Sequence, residues 1–305
     1  MEAPIREDVP EISDLIVAYD PESLERVPVR RDEVVARFEA LGRRRAARIV
    51  ASMPAIDGVL DPMAVDAVLL RAHRELQRLS EEFQQGLRVR ELLVPTIAML
   101  RARGVSPIRI VDVGCGLGYL VRWLAARGEL GDDVELVGCD YNAALLGEAK
   151  RLAELEQLRC RFVVGNAFTL DEPGHIFTST GVLHHFRDAG LVSFFREQAR
   201  EALAFFHYDI DDSWLAPFGS WLFHRARMRE PLARHDGVLS SQRAHSRQTL
   251  VDAAAQDGFR VAMYRVPHRL FPVVRVLRPV VGVRDELWDD WCTALGRNAR
   301  LLVPR

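Results

Sequence analysis

Three glycines at alternate positions, Gly114, Gly116 and Gly118, follow the apolar run Ile108-Arg109-Ile110-Val111 and Asp112. A helical pattern of apolar residues begins directly after them. Glycine accepts a positive φ and lets a ligand approach the backbone, because it has no Cβ. The first amides of a helix have no partner within that helix and attract electron-rich groups. The segment therefore predicts a strand, a sharp turn and a helix whose backbone lies against a ligand.

The spacing of these glycines bears on the identity of the ligand. The dinucleotide fingerprint Gly-x-Gly-x-x-Gly would need a glycine at position 119, where this chain has Tyr119. The pattern Asp-x-Gly-x-Gly-x-Gly resembles motif I of the class I (Rossmann-like) methyltransferases that use S-adenosylmethionine (SAM). A dinucleotide site and an ordinary glycine-rich turn are the alternatives. The resemblance implies that SAM is the cofactor and that its methionine part lies against Asp112, Gly114, Cys115, Gly116 and Gly118.

Polar residues also follow the next two apolar runs. The run Val134–Cys139 ends in Asp140, a carboxylate that can accept both hydroxyl hydrogens of a ribose or instead cap a helix. Its neighbour Tyr141 is assigned to the same cofactor site. In the family the third strand often ends in Gly-Asp-Ala, whose Asp binds the adenine amino group. This chain has Asn166 and Ala167 there, so the resemblance implies an adenine contact through an amide.

The fourth and fifth strands end in residues that could move a proton. Thr180 is followed by Gly181-Val182-Leu183-His184-His185-Phe186, which resembles motif IV of small-molecule methyltransferases and the turn after it. The acid usual near the start of that strand is replaced by His175, and the resemblance covers roughly residues 90–285. A histidine has an unperturbed pKa of about 6.5, which suits a general base at neutral pH. The candidate catalytic residues are His184, His185 and Asp209, with Thr180 at the cofactor.

The carboxyl ends of parallel strands meet at one edge of a sheet, where ligands bind. We therefore expect the polar residues after the five strands to converge there: Asp112, Asp140, Asn166, Thr180, His184, His185 and Asp209. No metal is expected, because adjacent histidines point in different directions and no Cys or His group has ligand spacing. A divalent ion held by His207, Asp209, Asp211 and Asp212 is the alternative to a solvated acidic turn.

The elements that must position these residues alternate between strand and helix from residue 108 onward. The patterns predict strands at 108–113, 134–139, 161–164, 175–180, 203–209, 259–265 and within 271–283, and helices at 118–127, 142–157, 188–201 and 247–256. This rhythm predicts an α/β fold with a doubly wound, seven-stranded, mostly parallel sheet. The SAM-binding methyltransferase domain is accordingly expected to span 108–305.

Two regions lie outside this alternation. Residues 1–107 show three helical patterns: from Asp32 to about Pro54 with Arg43-Arg44-Arg45 near its C-terminal end, from Asp61 through Phe83, and through Leu92 to Gly104. Residues 210–246 form an aromatic-rich insertion after the fifth strand. We interpret the N-terminal helices either as a structural cap or homodimer surface, or as a lid over the acceptor pocket, which the insertion could also cover.

Bulk properties exclude several classes of partner. The 305 residues are 49% hydrophobic and 28% charged, as in an ordinary globular protein. The net charge is −2, so we expect no overall electrostatic attraction to nucleic acid or to an anionic membrane. The four cysteines form no Cys-x-x-Cys pair. We interpret them as small core residues of a protein that resides in a reducing compartment. No signal segment and no apolar run of membrane length is recognised, so a cytoplasmic location is expected.

Together these features predict a SAM-dependent methyltransferase. Its acceptor is expected to be a small, flat or apolar metabolite, such as a quinone, a polyketide or another natural-product intermediate. A SAM-binding, methyltransferase-like partner protein without activity is the main alternative. A nucleic-acid methyltransferase would be expected to show a basic face, and an NAD-dependent oxidoreductase fits the glycine spacing least.

Overall fold

The computed structural model describes residues 9–265 and 277–304 and divides the chain into two compact units. Unit 1 consists of the described residues up to Leu76 together with Ser213–Arg243. Unit 2 consists of Gln77–Asp212 and the described residues from Ala244 onward. The boundary expected after residue 107 thus lies at residue 76, and most of the expected insertion belongs to the same unit as the N-terminal region.

The chain contributes the following helices and strands in order. They are α1 (Ile12–Ile16), β1 (Ala18–Tyr19), β2 (Arg26–Val27), α2 (Arg31–Ala40), α3 (Arg44–Ala51), β3 (Ala55–Ile56), β4 (Val59–Leu60), α4 (Pro62–Glu82), α5 (Gln85–Ala102), β5 (Ile108–Val113), α6 (Tyr119–Arg127), β6 (Val134–Asp140), α7 (Ala143–Leu155), β7 (Arg161–Val164), β8 (Ile176–Thr180), α8 (Asp188–Ala199), β9 (Ala204–Ile210), α9 (Ala216–Arg227), α10 (Pro231–Gln242), α11 (Arg247–Ala254), β10 (Phe259–Tyr264), β11 (Leu277–Arg284), α12 (Trp288–Leu295) and β12 (Leu302–Pro304). Short 3₁₀ turns lie at Leu183–His185, Asp285–Leu287 and Gly296–Leu301.

Unit 2 contains an eight-stranded sheet in the order β7-β6-β5-β8-β9-β11-β10-β12. Strands β5 to β9 are parallel, and β11 is antiparallel to both β9 and β10. The chain leaves β5 toward β7 on one side and returns to β8 on the other, which makes the sheet doubly wound. The predicted fold class is confirmed. The eighth strand, β12, pairs antiparallel with β10 and has only three residues, too few for a periodic pattern to reveal.

The strands of this sheet are apolar on both faces because helices cover both. Ile110 and Phe206 belong to a core that also includes residues of α5, α6, α7 and α12, whereas Val111 and Phe205 belong to a second core with residues of α8 and α11. This burial explains why the strands appear in the sequence as continuous apolar runs. The last predicted strand corresponds to β11, and residues 271–276 of its expected range lie outside the described residues.

Helix α5 belongs to unit 2, although the sequence analysis grouped it with the N-terminal helices. Its residues Leu92 and Leu93 are fully buried in the first core. Its Thr96 Oγ1 accepts a hydrogen bond from Trp291 Nε1 at 2.8 Å, and the Tyr208 hydroxyl donates to the Arg88 carbonyl at 3.0 Å. Because α5 covers one face of the sheet, the compact unit begins before residue 108.

The first helical pattern forms two helices rather than one. Helix α2 ends at Ala40, and Gly42 adopts a left-handed φ of +68°. The Gly42 amide donates to the Glu39 carbonyl and the Arg43 amide to the Phe38 carbonyl, which is the usual hydrogen-bond pattern of a helix ended by glycine. Arg43, Arg44 and Arg45 therefore lie at the start of α3, and their expected place near a helix C-terminus is wrong.

Helix α10, from the expected insertion, is joined to the N-terminal helix α1 within unit 1. The Asp236 carboxylate accepts hydrogen bonds from the Ile12 and Ser13 amides, both at 2.9 Å. Ser240 Oγ donates to Glu11 Oε1 at 2.8 Å, and Arg243 pairs with Asp14. Polar side chains of α10 thus satisfy the first amides of α1, which have no partner within that helix.

No helix in the two described ranges is long and apolar enough to cross a membrane.

Candidate functional site

The glycine loop between β5 and α6 is a left-handed turn fastened to the end of β6. Gly114, Gly116 and Gly118 have φ values of +70°, +53° and +66°. The Gly114 and Cys115 amides donate to the Cys139 carbonyl at 2.8 and 3.0 Å. The positive φ values favour glycine at the turn, as the sequence analysis expected.

Two of these glycines are also required by packing within the protein. A Cβ on Gly118 would lie 2.2 Å from Phe162 Cε1, and a Cβ on Gly114 would lie 2.6 Å from Val182 Cγ2. Both distances are far below van der Waals contact. The absence of a side chain at these two glycines therefore makes room for side chains of β7 and of the turn after β8.

Asp140 holds the glycine loop and the start of α7 together. Its Oδ2 accepts from the Gly116 amide at 2.8 Å, and its Oδ1 accepts from the Asn142 amide at 2.9 Å. Asn142 caps α7 by accepting from the Ala144 and Leu145 amides, as its position predicted. An ionised carboxylate only accepts hydrogen bonds, so both of these amides donate to Asp140.

Asp112 is buried beside Asp140 at the end of β5. Its Oδ1 accepts a hydrogen bond from Thr178 Oγ1 on the adjacent strand at 3.0 Å. Burial raises the pKa of Asp112 to about 7; the Thr178 hydrogen bond opposes this rise, and the negative charge of Asp140 adds to it. The sequence analysis did not single out Thr178, which lies opposite Asp112 in the register of β5 and β8.

Large apolar side chains are exposed where β6 and β7 end. Tyr141, Val164 and Phe168 are 48%, 44% and 37% exposed, and Asp140 and Val164 are register partners in the two strands. Asn166 Oδ1 accepts from the Phe168 amide at 3.0 Å, and Ala167 packs against the second core. Exposed apolar surface beside fixed polar groups is typical of a small-molecule site.

His184 and Asp209 form a buried pair. The His184 amide donates to Asp209 Oδ2 at 2.7 Å, and His184 Nδ1 lies 2.8 Å from Oδ1. Burial favours a higher pKa for Asp209, but the charge of His184 and the hydrogen bonds from His184 and Ile210 outweigh it and hold that pKa below its ordinary value. Asp209 is therefore a carboxylate that only accepts, so Nδ1 carries the proton. In the neutral ring, Nε2 is then the basic nitrogen.

Two further residues of the predicted set lie beside this pair. The ring of His185 is 4.4 Å from that of His184, centroid to centroid, and is less buried. Thr180 Oγ1 is buried and has no hydrogen-bond partner within the described ranges. A buried hydroxyl without a partner costs about 1–3 kcal/mol, and a bound ligand could remove that cost.

Three of the four residues considered for a divalent ion are held by partners within the protein. His207 Nδ1 lies 2.9 Å from Ser179 Oγ, and the imidazole is surrounded by phenylalanine rings. Burial lowers the pKa of His207 to about 3. Asp209 is bonded to His184, whereas Asp211 pairs with Arg278. Each of these three side chains thus has its own protein partner.

His175 lies at the opposite edge of the sheet from these groups. It directly precedes β8, and its Nδ1 accepts a hydrogen bond from the Arg109 amide at 3.0 Å. The departure from the family pattern at this position therefore concerns the joining of two strands and not the site.

The parallel strands bring the other predicted residues to the carboxyl edge of the sheet, where they flank the switch point between β5 and β8. They are Asp112, the glycine loop with Cys115, Asp140, Tyr141, Asn166, Ala167, Thr180, His184, His185 and Asp209. A crevice at this edge is where open α/β sheets bind ligands.

Residues 110–202 match the family model of a methyltransferase domain. The sheet of unit 2, with its antiparallel strand β11 between β9 and β10, has the class I methyltransferase fold. Residues 110–202 are therefore similar to a methyltransferase domain, within a sheet of the class I methyltransferase fold.

Solved structures with this fold are similar to the chain at low identity. The plantazolicin methyltransferase BamL, in complex with a triazolic desmethylPZN analog and SAH, is 13% identical with a TM-score of 0.51, covering 72% of this chain and 96% of that chain. The plantazolicin methyltransferase BpumL in complex with SAH is 8% identical with a TM-score of 0.51, covering 72% and 94%. Magnesium protoporphyrin IX methyltransferase (ChlM) from Synechocystis PCC 6803 with bound SAH is 17% identical with a TM-score of 0.45, covering 83% and 99%. No curated protein matches the sequence.

Proposed function

We propose that this protein is a SAM-dependent methyltransferase that acts on a small, flat or apolar metabolite, such as a quinone, a polyketide or another natural-product intermediate. The observation that carries the proposal is Asp140, whose carboxylate joins the glycine loop to the start of α7. The proposal places this carboxylate against the ribose of the cofactor. SAM supplies an electrophilic sulfonium methyl group when bound, so the cofactor carries the difficult part of the chemistry.

The described residues fit such a cofactor in three respects. The carboxylate of Asp140 is a hydrogen-bond acceptor, which is the chemistry that ribose hydroxyls require. The hydroxyl of Thr180 is buried without a partner in the described chain, and ligand binding would satisfy it. The exposed side chains of Tyr141, Val164 and Phe168 offer apolar surface to a flat ring. In this proposal the glycine loop and Asp112 hold the methionine part, Asp140 and Tyr141 the ribose, and Asn166 and Ala167 the adenine.

The protein's part in the reaction is to position the acceptor and, where the acceptor arrives protonated, to take its proton. Positioning can supply roughly 7–11 kcal/mol of the barrier. His184 is the proposed base because Asp209 fixes the ring and leaves Nε2 as the basic nitrogen. Asp209 is then a positioning residue, and His185 is the second candidate for the base. Proton transfer of this kind contributes about 10²–10⁴-fold to the rate.

One observation favours a second candidate function, that of a SAM-binding partner protein without activity. Asn166 replaces the acid common in the family, and its Oδ1 already accepts the amide of Phe168. Such a protein would bind S-adenosylhomocysteine (SAH) but methylate no acceptor. Mass spectrometry of reactions with phenolic, quinol and polyketide acceptors distinguishes the two candidates, because only an enzyme adds a methyl group to an acceptor.

Calorimetry with SAH and with NAD tests the proposed cofactor. We expect SAH to bind well below millimolar concentration and NAD not to bind. Asp140→Ala should weaken SAH binding by about 10- to 100-fold, because hydrogen bonds to a charged group are lost. Asp257→Ala, which removes an exposed carboxylate after α11, is the matched control and should bind like the wild type. Absence of SAH binding, or equal affinity in Asp140→Ala, contradicts the proposal.

A further inference from the structure

The outer face of α9 in unit 1 is apolar and exposed. Trp214 and Leu215, directly before the helix, are 88% and 49% exposed, and Phe218, Trp221 and Leu222 are 65%, 45% and 55% exposed. At 100° per residue these five side chains fall within a sector of about 120°. The rings of Phe218 and Trp221 stack at 6.2 Å. A contiguous exposed apolar surface of this kind marks an interaction site in a folded protein.

The orientation of this face is fixed by the packing of the other side of α9. His224 is buried against α10, where a Cβ on Gly237 would lie 1.9 Å from His224 Cε1. Ser220 Oγ donates to the Gly237 carbonyl at 2.7 Å. The exposed aromatic side chains therefore cannot turn into the core of unit 1 without breaking this contact between α9 and α10.

Arginines accompany this face along the chain. Arg225 lies about one turn after Trp221 and Leu222 and within the same sector, and Arg227 and Arg229 follow and are exposed. Residues 213–229 contain these three arginines and no acidic residue, which gives a formal charge of +3. The next acid, Glu230, pairs with Arg71 at 2.9 Å. The Glu75 carboxylate accepts the Arg229 and Glu230 amides, so Arg225 is the arginine of this segment that lies on the apolar face itself.

We propose that this face of α9 docks on the surface of an anionic phospholipid bilayer. Tryptophan and phenylalanine side chains are favoured at the boundary between head groups and acyl chains, and arginines are attracted to anionic head groups. The attraction is about 1 kcal/mol per basic residue near such a surface. Docking of this kind needs an amphipathic helix at the protein surface. It does not require a helix that spans the bilayer. It would bring the protein to the place where apolar metabolites accumulate.

Sedimentation of the full-length protein with vesicles tests the proposal. Vesicles of phosphatidylglycerol are compared with vesicles of phosphatidylcholine, without SAM or acceptor. We expect the protein to sediment with phosphatidylglycerol vesicles, less so at high salt, and only weakly with phosphatidylcholine. The double variant Phe218→Glu/Trp221→Glu should lower the partition coefficient at least about tenfold, because it removes buried apolar area and adds negative charge. Leu155→Glu is the matched control, since Leu155 is 69% exposed at the end of α7.

A second variant separates the contribution of charge to vesicle binding from the contribution of the apolar surface. Arg225→Glu should reduce binding to phosphatidylglycerol and leave the weak binding to phosphatidylcholine unchanged. Equal sedimentation of the wild type and the double variant overturns the proposal, as does the absence of binding to phosphatidylglycerol. Analytical ultracentrifugation without lipid gives the other outcome that overturns it: a wild-type dimer that the double variant abolishes would identify a second copy as the occupant. Because no cofactor is used, failure here leaves the proposed methyltransferase activity untouched.

Discussion

At the scale of single residues, the buried acid Asp112 makes the stability of the unliganded protein depend on pH. The unfolded chain releases this proton near pH 3.8 and the folded chain near 7. The folded state therefore binds more protons between these values, and its stability falls as the pH rises through them. Asp112→Asn should remove this loss, so the variant gains stability relative to the wild type at pH 8 but not at pH 4. Urea denaturation at both pH values measures the difference, and a gain equal at both would contradict it.

The pair of His184 and Asp209 leads to a second prediction. If His184 takes a proton from the acceptor, His184→Ala should lower kcat by about 10²–10⁴-fold, with a much smaller effect on SAH affinity. Asp209→Asn should also lower kcat, because the carboxylate that fixes the His184 ring through Nδ1 is replaced by an amide. Steady-state kinetics of these variants and of His185→Ala provide the measurement. Full turnover in both His184→Ala and His185→Ala would show that no histidine of this pair acts as the base.

At the scale of elements, the turn between β5 and α6 tolerates no side chain at Gly118. Gly118→Ala adds a Cβ at positive φ and 2.2 Å from Phe162, so we expect a loss of about 2–4 kcal/mol in the free energy of unfolding. Gly147→Ala is the control of opposite sign: Gly147 lies in α7 with no atom near its added Cβ, and the change should stabilise the protein by about 0.5–1 kcal/mol. Thermal unfolding of both variants checks the prediction, which a neutral Gly118→Ala would refute.

The elements of unit 2 could be predicted well from the sequence because their signals are local. Strand β5 was expected at 108–113 and is found there, since its apolar run is bounded by the glycine loop. Helix α6 begins within one residue of its expected start for the same reason. The end of α2 was missed although Gly42 marks it, because the apolar positions keep their spacing across the break.

Contacts of the site that depend on the register between strands were harder to predict from the sequence. Asp140 and Asp209 could be placed at the correct edge, because each lies at the carboxyl end of a strand. The hydrogen bond from Thr178 to Asp112 depends on which strands are neighbours and how they align, which a linear pattern does not contain. The same holds for the contact between Gly118 and Phe162, two residues on different strand–helix units.

At the scale of the whole molecule, unit 1 is built from two segments that lie far apart in the chain. Asp236 of α10 binds the first amides of α1 across 224 positions, a contact that no local pattern predicts. Asp236→Ala should lower the free energy of unfolding by about 2–4 kcal/mol, because one buried and one partly buried hydrogen bond to its carboxylate are lost. Hydrogen exchange should then quicken together in Ile12–Ile16 and in Pro231–Gln242.

Glu39→Ala is the matched control for this change, since it removes an exposed carboxylate from α2 in the same unit. It should leave the exchange rates of both segments unchanged. Faster exchange confined to α10 would show that the two segments are stabilised independently, and the predicted coupling between them would be wrong.

The discontinuous make-up of unit 1 also dictates an order of events on the ribosome. At synthesis rates of about 5–20 residues per second, Asp236 is made roughly 10–45 s after Ile12. During that interval the strands β5 to β9 are all translated, whereas Asp236, which accepts the amides of α1, has not yet been made. We therefore expect α1 to lack its contact with α10 while the centre of the chain emerges, which leaves its first amides to water during that interval.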